Sequence, residues 1–522
     1  MRRTKYHLPA RVEFDIVPSM AFPFETMSFR SPRARWAAWL GIAAATLLVS
    51  AYAHIKAGYT LPIPWNDEPW YAWSSISLAE HNTFFSESLN PERVLPLVPM
   101  FQVPLAMVFK MAGFSFALTR WISWGWMALA YLGVLFLIRS RPLPLISAAV
   151  ASLFFLGATS VVAGNMCRPE AMVWAFAVWT FVLVDREQWW KALSLAAIGA
   201  WVHQIGMVFF AGMLFLFMER ALKSKGHIRP GRSDWAFMAL AAVALAGQAL
   251  FIWHFWTWFW ADFGEASKEP VKQTLGVRIF FSNKTPWLAV YAGLFGVSLW
   301  RFRRLLVPVA IGGCAYVSML VRPQMWYEIY NQMSFMWLAL TIPWALYWAT
   351  EGAFKIWITP MRPGLRSSLM IVAFAAGLLP MLKMGYAHGF VTGPHNYPAK
   401  LGWGWGMQMD PHPYITEQDI QAVSKEIEKY AADGNKHRVF FMPEGDALFF
   451  HGRMPSNTIP YQGVYTEVKG DLAVFRLSRH QPKWMRDQHV MKYLRIYGGE
   501  GLEPFYERDG TEKWIFIPPK AE

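Results

Sequence analysis

Cysteine and charge are what this chain is short of. Only Cys167 and Cys314 occur in 522 residues, one beside an apolar run and the other inside one, which excludes a disulfide framework or a thiolate zinc cluster. Charged residues make up 16% of the chain, against about 25% in a soluble domain. A P-loop and a Rossmann glycine pattern are also missing, so no nucleotide site is legible. There is no internal repeat and no low-complexity stretch. The first 35 residues lack the short apolar core and cleavage site of a signal peptide. With Arg11, Arg30, Arg33 and Arg35, they predict a basic cytoplasmic tail.

What is abundant is apolar surface. Hydrophobic residues are 55% of the chain, and runs long enough to cross a hydrocarbon core of about 30 Å, some 20 helical residues, recur from Trp36 to about Gly385. The net charge of +14 sits mostly in short loops between those runs, where it sets topology; nucleic acid is therefore excluded as a partner. Spans are expected near 36–54, 117–138, 143–162, 169–184, 234–258, 286–300, 305–321, 333–350 and 368–385. The stretch 94–112 is interrupted by three prolines and Lys110. The stretch 191–219 carries His203 and Gln204 in its middle, which suits two helices meeting at a polar turn.

Charge decides both cases. If 94–112 stays in the interface and 191–219 crosses twice, the clusters Arg139/Arg141, Arg186/Lys191, Arg220/Lys223/Lys225/Arg229/Arg232, Arg301/Arg303/Arg304 and Lys355/Arg362/Arg366 all fall on the N-terminal side. The expectation is a polytopic α-helical membrane protein with about eleven transmembrane helices. Its parts are a cytoplasmic tail (1–35), a transmembrane domain (36–385) with a large first outer loop (55–116), and an extracytoplasmic domain (386–522). That last part follows a GWGWG linker (402–406) and reads as a soluble α/β domain. Thr416 with Asp419 marks a helix start, and RVFFM, ALFFHG, LAVFRL and KWIFI look like strands.

The polar residues that topology leaves unexplained gather in the outer segments. Trp65-Asn66-Asp67-Glu68-Pro69-Trp70-Tyr71-Ala72 opens the first outer loop; its adjacent carboxylates are either a solvated loop start or a general base with a neighbour that binds acceptor or metal. Asn90-Pro91-Glu92-Arg93 precedes the interrupted stretch. Arg120, one turn inside a span, is a helix-end anchor or a phosphate ligand. In Gly164-Asn165-Met166-Cys167-Arg168-Pro169-Glu170, Glu170 suits a helix N-terminus, whereas Arg168 is unfavourable there without an anionic partner such as phosphate. His203 is a core histidine or a ligand. The turn Arg322 to Tyr330, with Tyr327, is an interfacial aromatic belt or part of a pocket.

In order, these fragments resemble the GT-C glycosyltransferases that use polyprenyl-phosphate sugars, in particular the bacterial lipid A aminoarabinose transferases and the protein O-mannosyltransferases. The resemblance covers roughly 36–350. It rests on Asp67-Glu68 followed by Tyr71-Ala72, on Glu92-Arg93 where the family has Glu-Lys, on Phe116-Ala117-Leu118-Thr119-Arg120 with Thr119 inserted, and on Arg168-Pro169-Glu170 where the family has Arg-Pro-Asp. Trp70 stands where aminoarabinose transferases tend to carry arginine.

The resemblance implies a GT-C fold and an inverting transfer on the outer face. Asp67 is implied as general base, with Glu68 and Glu170 as further acids of the catalytic set. Arg93, Arg168 and Arg120 are implied to bind the donor phosphate, and Tyr71, Glu92, His203 and Tyr327 to line the substrate pocket. Some family members use a divalent metal ion, for which Glu92 and His203 are the candidate ligands here. The implied partners are a lipid-linked sugar donor, a glycolipid, glycan or protein acceptor, and membrane lipids. The implied location is the inner (plasma) membrane, multi-pass. Two other readings stay open: a secondary transporter, since an intramembrane histidine and broken helices serve transporters too, and a non-catalytic envelope assembly protein.

Overall fold

The computed structural model describes residues 32–56, 68–85, 98–138, 148, 151–152, 155–156, 164, 167–224, 228–267, 415–461, 472–479, 486 and 490–518. The expected spans from 286 to 385, most of 143–162, the GWGWG linker and Cys314 lie outside the described residues, as do Asp67, Glu92, Arg93 and Tyr327.

The helical part comprises α1 (Pro32–Lys56), α2 (Glu68–His81), α3 (Pro99–Ala112), α4 (Phe116–Ile138), α5 (Glu170–Asp185), α6 (Trp189–Ala200), α7 (Gln204–Lys223), α8 (Arg232–His254) and α9 (Trp256–Ser267). Two described helices, covering Phe116–Leu137 and Arg232–His254, are long and apolar enough to cross a membrane. Only 11% of the α8 window is buried, and Trp235, Leu240, Val243, Leu250 and Trp253 point outward. A core helix of a soluble protein would cover such side chains, so the exposed apolar face of α8 is what the expected span requires. Leu40, Leu48 and Ile55 on α1 face out in the same way.

The stretch 191–219 is split, with α6 ending at Ala200 and α7 starting at Gln204. At that turn a Cβ on Gly206 would collide with the Gly199 carbonyl oxygen, so only glycine lets the two helices approach this closely. Across the α4–α5 contact, a Cβ on Gly133 would meet Val178 Cγ1 at 2.7 Å. The α3 helix has 14 residues, about 21 Å at 1.5 Å per residue, short of a full crossing. It buries Phe101, Leu105 and Phe109 while Val103, Met107 and Met111 face out. Both faces are apolar, so α3 has protein on one side and exposed apolar surface on the other.

One boundary differs from expectation. The span near 234–258 breaks at Phe255, and the segment expected to begin an outer loop at 259 instead continues as α9. Trp256, Trp258 and Trp260 of α9 are exposed, an aromatic cluster that straddles the expected end of the span at 258.

The C-terminal part folds as α10 (Glu417–Tyr430), β1 (His437–Met442), a 3-10 helix (Glu444–Phe450), β2 (Thr458–Tyr461), β3 (Leu472–Ser478), α11 (Met491–Ile496), β4 (Tyr506–Arg508) and β5 (Glu512–Ile517). The sheet order is β2-β1-β3-β5-β4. β1 runs parallel to β2 and β3, with Val439 opposite Leu472; β5 runs antiparallel to β3 and β4, with Val474 opposite Phe516. Helices cover both faces. Ile420, Val423 and Ile427 of α10 join the core that holds Val439, Phe441 and Val474. Val490 and Leu494 pack with Phe440, Met442 and Phe475 on the other side. Burial on both faces explains the continuous apolar runs Val439–Met442 of β1 and Leu472–Phe475 of β3. Thr416 Oγ1 accepts from the Asp419 N–H while Asp419 Oδ2 accepts from the Thr416 N–H, the capping box read from the sequence.

RVFFM, LAVFRL and KWIFI are strands, but ALFFHG is not: most of it belongs to the 3-10 helix. Its aromatics serve two surfaces. Phe450 stacks on Phe441 at 4.6 Å inside the sheet core, and Phe449 leaves the domain to meet Phe116 of α4 at 5.0 Å. A 3-10 turn sends adjacent side chains about 120° apart and can satisfy both.

Candidate functional site

The site grows from the first turn of α2. Residues Glu68 to Ser77 are all buried, unusual cover for a helix that begins with a carboxylate. Glu68 is fully buried, and both of its oxygens are used: Oε1 accepts from Arg120 Nη2 at 2.9 Å and Oε2 accepts from the Cys167 N–H at 2.9 Å. One side chain thus ties α2, the first turns of α4 and the turn before α5 together. Arg120 is equally buried, with its guanidinium 4.6 Å from the Phe116 ring centre. A buried charge persists when it is paired, and Arg120 Nη2 pairs with Glu68.

Two residues beyond Cys167 the chain enters α5, with Pro169 at its N-cap. Arg168 Nε and Nη2 both donate to Glu170 Oε1, at 3.0 and 2.7 Å. The anionic partner that Arg168 needs beside a helix N-terminus is therefore Glu170, which also gains from the helix dipole. Glu170 is 1% exposed, and its Oε2 makes no hydrogen bond among the described residues. A buried carboxylate oxygen left without a donor is costly unless something else occupies it at some stage. His203, in the turn between α6 and α7, lies within electrostatic reach of Glu170. The Tyr71 ring centre is 6.0 Å from the Arg168 guanidinium.

Five of the sequence-derived candidates, Glu68, Tyr71, Arg120, Arg168 and Glu170, are thus linked contact by contact, with His203 within electrostatic reach. Asp67 directly precedes Glu68; it, Glu92, Arg93 and Tyr327 lie outside the described residues. Among the described residues no group of three His, Cys, Asp or Glu side chains could hold a metal ion; Glu92 cannot be placed in that respect. Burial above all, and then the Glu68 charge, push the Cys167 thiol pKa well above the ordinary range, which keeps it in the protonated form.

The opposite ends of the same helices hold cations. Arg220 near the end of α7 pairs with Glu187 after α5 at 3.2 Å, and Lys191 of α6 lies 4.0 Å from Asp234 of α8. With α5 about 24 Å long, the Glu170 cluster and these basic ends are separated by most of a bilayer core.

Two contributors were not legible in the sequence. The Cys167 backbone N–H is a donor that no residue pattern advertises. The corner Phe449 to His451 of the C-terminal part lies against α2 and α4: His451 Nε2 hydrogen-bonds Glu80 Oε1 at 3.1 Å, and its ring meets Trp73 at 5.0 Å and Phe114 at 5.4 Å.

No family model matches the chain, and no curated protein sequence does. Among solved structures, ArnT from Cupriavidus metallidurans in the apo state is similar at 13% identity and a TM-score of 0.45, over 94% of this chain and 100% of that one. The same protein bound to undecaprenyl phosphate is similar at 11% identity and a TM-score of 0.41, over 94% and 99%. At such scores the likeness fixes neither the fold nor the activity of this chain.

Proposed function

We propose that this chain is an inverting glycosyltransferase of the GT-C kind, moving a sugar from a polyprenyl-phosphate donor to an envelope acceptor on the outer face of the inner membrane. One observation carries the reading: three of the four ordered fragments that resemble that family, those with Glu68, Arg120 and Arg168-Glu170, meet among the described residues in a buried cluster of paired acids and arginines, at the end of the helices away from their basic termini.

In this reading Asp67, one residue before the fixed Glu68, takes the proton from the acceptor hydroxyl. That oxygen attacks the anomeric carbon from the face opposite the phosphate, the glycosidic bond forms as the carbon–phosphate oxygen bond breaks, and polyprenyl phosphate leaves with the bonding pair. Arg168 and Arg93 stabilise the growing phosphate charge, the main contribution to rate. Glu68 has both oxygens engaged, one of them by Arg120, and anchors the start of α2. Glu170, through Oε2, and His203 face the acceptor, beside the ring of Tyr71; Glu92 and Tyr327 complete the pocket. A divalent ion, where used, would sit near Glu92 and His203. The acceptor is lipid A or lipopolysaccharide, another glycan, or a protein.

The test is Asp67→Asn in the full chain, reconstituted in liposomes with a radiolabelled polyprenyl-phosphate sugar and an envelope glycolipid extract. The expected result is a loss of transfer of at least about a hundredfold, typical of a missing general base, with undecaprenyl phosphate still bound. Unchanged transfer would refute the assignment of Asp67. Labelled substrate accumulating inside the vesicles without any new glycosidic bond would establish the transporter reading instead.

A further inference from the structure

We infer that the corner of the C-terminal part formed by Phe449 and His451 is a positioning element for the buried cluster, setting the Glu68–Arg120 pair through the two helices that carry it. The chemistry served rests on the glycosyltransferase reading; the mechanical coupling does not.

The geometry provides two separate routes. Phe449 packs on Phe116 at 5.0 Å, and Phe116 lies under the Arg120 guanidinium at 4.6 Å, so one ring of the C-terminal part is a single side chain away from the cation. His451 reaches α2 at two points, edge-on to Trp73 and hydrogen-bonded to Glu80. Those points lie over one turn and about three turns beyond Glu68 on the same rigid helix. The ring of His451 also touches Phe114, just before α4. The corner therefore grips both members of the ion pair at their own elements.

The corner itself is held from behind. Asp446, in the same 3-10 helix, accepts from Arg476 Nε at 2.7 Å and from Nη2 at 3.0 Å. Arg476 Nη1 donates to Glu512 at 2.9 Å, and Glu512 also takes the Ser478 hydroxyl. Arg476 and Glu512 are on neighbouring strands of the sheet, so the docking corner is anchored to β3 and β5 by a bidentate charged clamp. Phe450 in the sheet core adds an apolar anchor. A mere lid has no need of such fixation; a positioning element does, because its precision is that of its support.

The experiment is hydrogen exchange on the full chain in lipid nanodiscs, read at the amides of 68–81 and of Cys167, together with transfer kinetics. Phe449→Ala and His451→Ala are each expected to speed exchange at the Cys167 amide and along α2 about tenfold, the scale of one or two ring contacts. Amides of β1, β3 and β5 should stay protected. Leu494→Ala, which loosens the core on the opposite face of the sheet, should leave α2 and Cys167 unchanged. His451→Phe keeps the ring on Trp73 and Phe114 but loses the bond to Glu80, and should restore more than half of the protection. In transfer assays the alanine variants should lower kcat about tenfold with KM for the donor unchanged. Exchange at Cys167 and α2 that is the same as in the parent chain in both alanine variants overturns the coupling, whatever the kinetics. Slower transfer with a matching rise in KM alone would place the corner at substrate entry and overturn its positioning role. A parent chain with no transferase activity would count against the proposed function while the exchange results still decide the coupling.

Discussion

Arg120, among the helices, and Arg476, in the sheet, are both withdrawn from solvent, yet their neighbourhoods are finished differently. Around Arg476, three nitrogens donate to Asp446 and Glu512, and Ser478 adds a donor to Glu512. Around Arg120 and its neighbour pair, Glu68 is used at both oxygens, whereas Glu170 is used at one only, leaving Oε2 buried and without a donor among the described residues. The first cluster is closed on itself and acts by fixing the corner to the sheet. In the second, Glu170 Oε2 is a buried acceptor without a donor among the described residues, an arrangement that costs stability and is typical of sites that bind something.

The largest effect should come from opening the closed cluster. Arg476→Met leaves Asp446 and Glu512 facing each other without a counter-charge, which by analogy with other broken buried pairs costs about 3–5 kcal/mol. Protection of the β1, β3 and β5 amides in the full chain should fall accordingly. If protection changes by less than a tenth of that, Arg476 is not the clamp described here.

The contrast was only half legible beforehand. The outer acids and arginines stood out because charge is scarce in this sequence and because Arg168 before a helix start demands a partner. Their order along the chain added a family resemblance. What the sequence did not disclose is that the partner of Arg168 is its own near neighbour Glu170, two residues on, and that Glu68 is spent on Arg120 and on a backbone N–H. The capping box, three of the strands and the split at His203 were readable because each follows a local rule of spacing. ALFFHG was misread as a strand because tertiary contact, with Phe450 inward and Phe449 toward Phe116, outweighed its β-like composition. The break at Phe255 left no proline or glycine to mark it.

A smaller effect on stability, with a larger one on function, is expected at the open cluster. In Glu170→Gln the carboxamide oxygen can still accept from Arg168, so the loss is of order 2 kcal/mol, the worth of a charge-assisted hydrogen bond. The new NH2 group fills the Oε2 position with a donor where the carboxylate offered an acceptor. Transfer to the acceptor should drop about a hundredfold or more, while binding of undecaprenyl phosphate alone, read by thermal shift, changes little. Loss of stability equal to that of Arg476→Met, with transfer intact, would make the two clusters equivalent and remove the distinction.

The smallest effect belongs to a pair that is neither buried nor incomplete. Asp433 lies at the surface of the C-terminal part, where the His437 ring hydrogen-bonds its carboxylate at 2.8 Å and Asn435 adds backbone and side-chain donors. These contacts, His437 first, hold its carboxyl at about 2, below the ordinary 3.8. A carboxyl whose folded pKa is depressed stabilises the fold fully above its unfolded value and loses that contribution as pH falls through the folded one. The window is therefore roughly pH 4 down to 2, and because the group is exposed, water and salt screen most of the gain. Removing the main cause with His437→Ala should lower the acid-unfolding midpoint stability of the sheet slightly at pH 5, with the two curves converging as pH approaches 2. A gap between them that widens on acidification would mean that His437 acts through something other than the Asp433 carboxylate, and exposed pairs would then rank above their expected place beside the buried clusters.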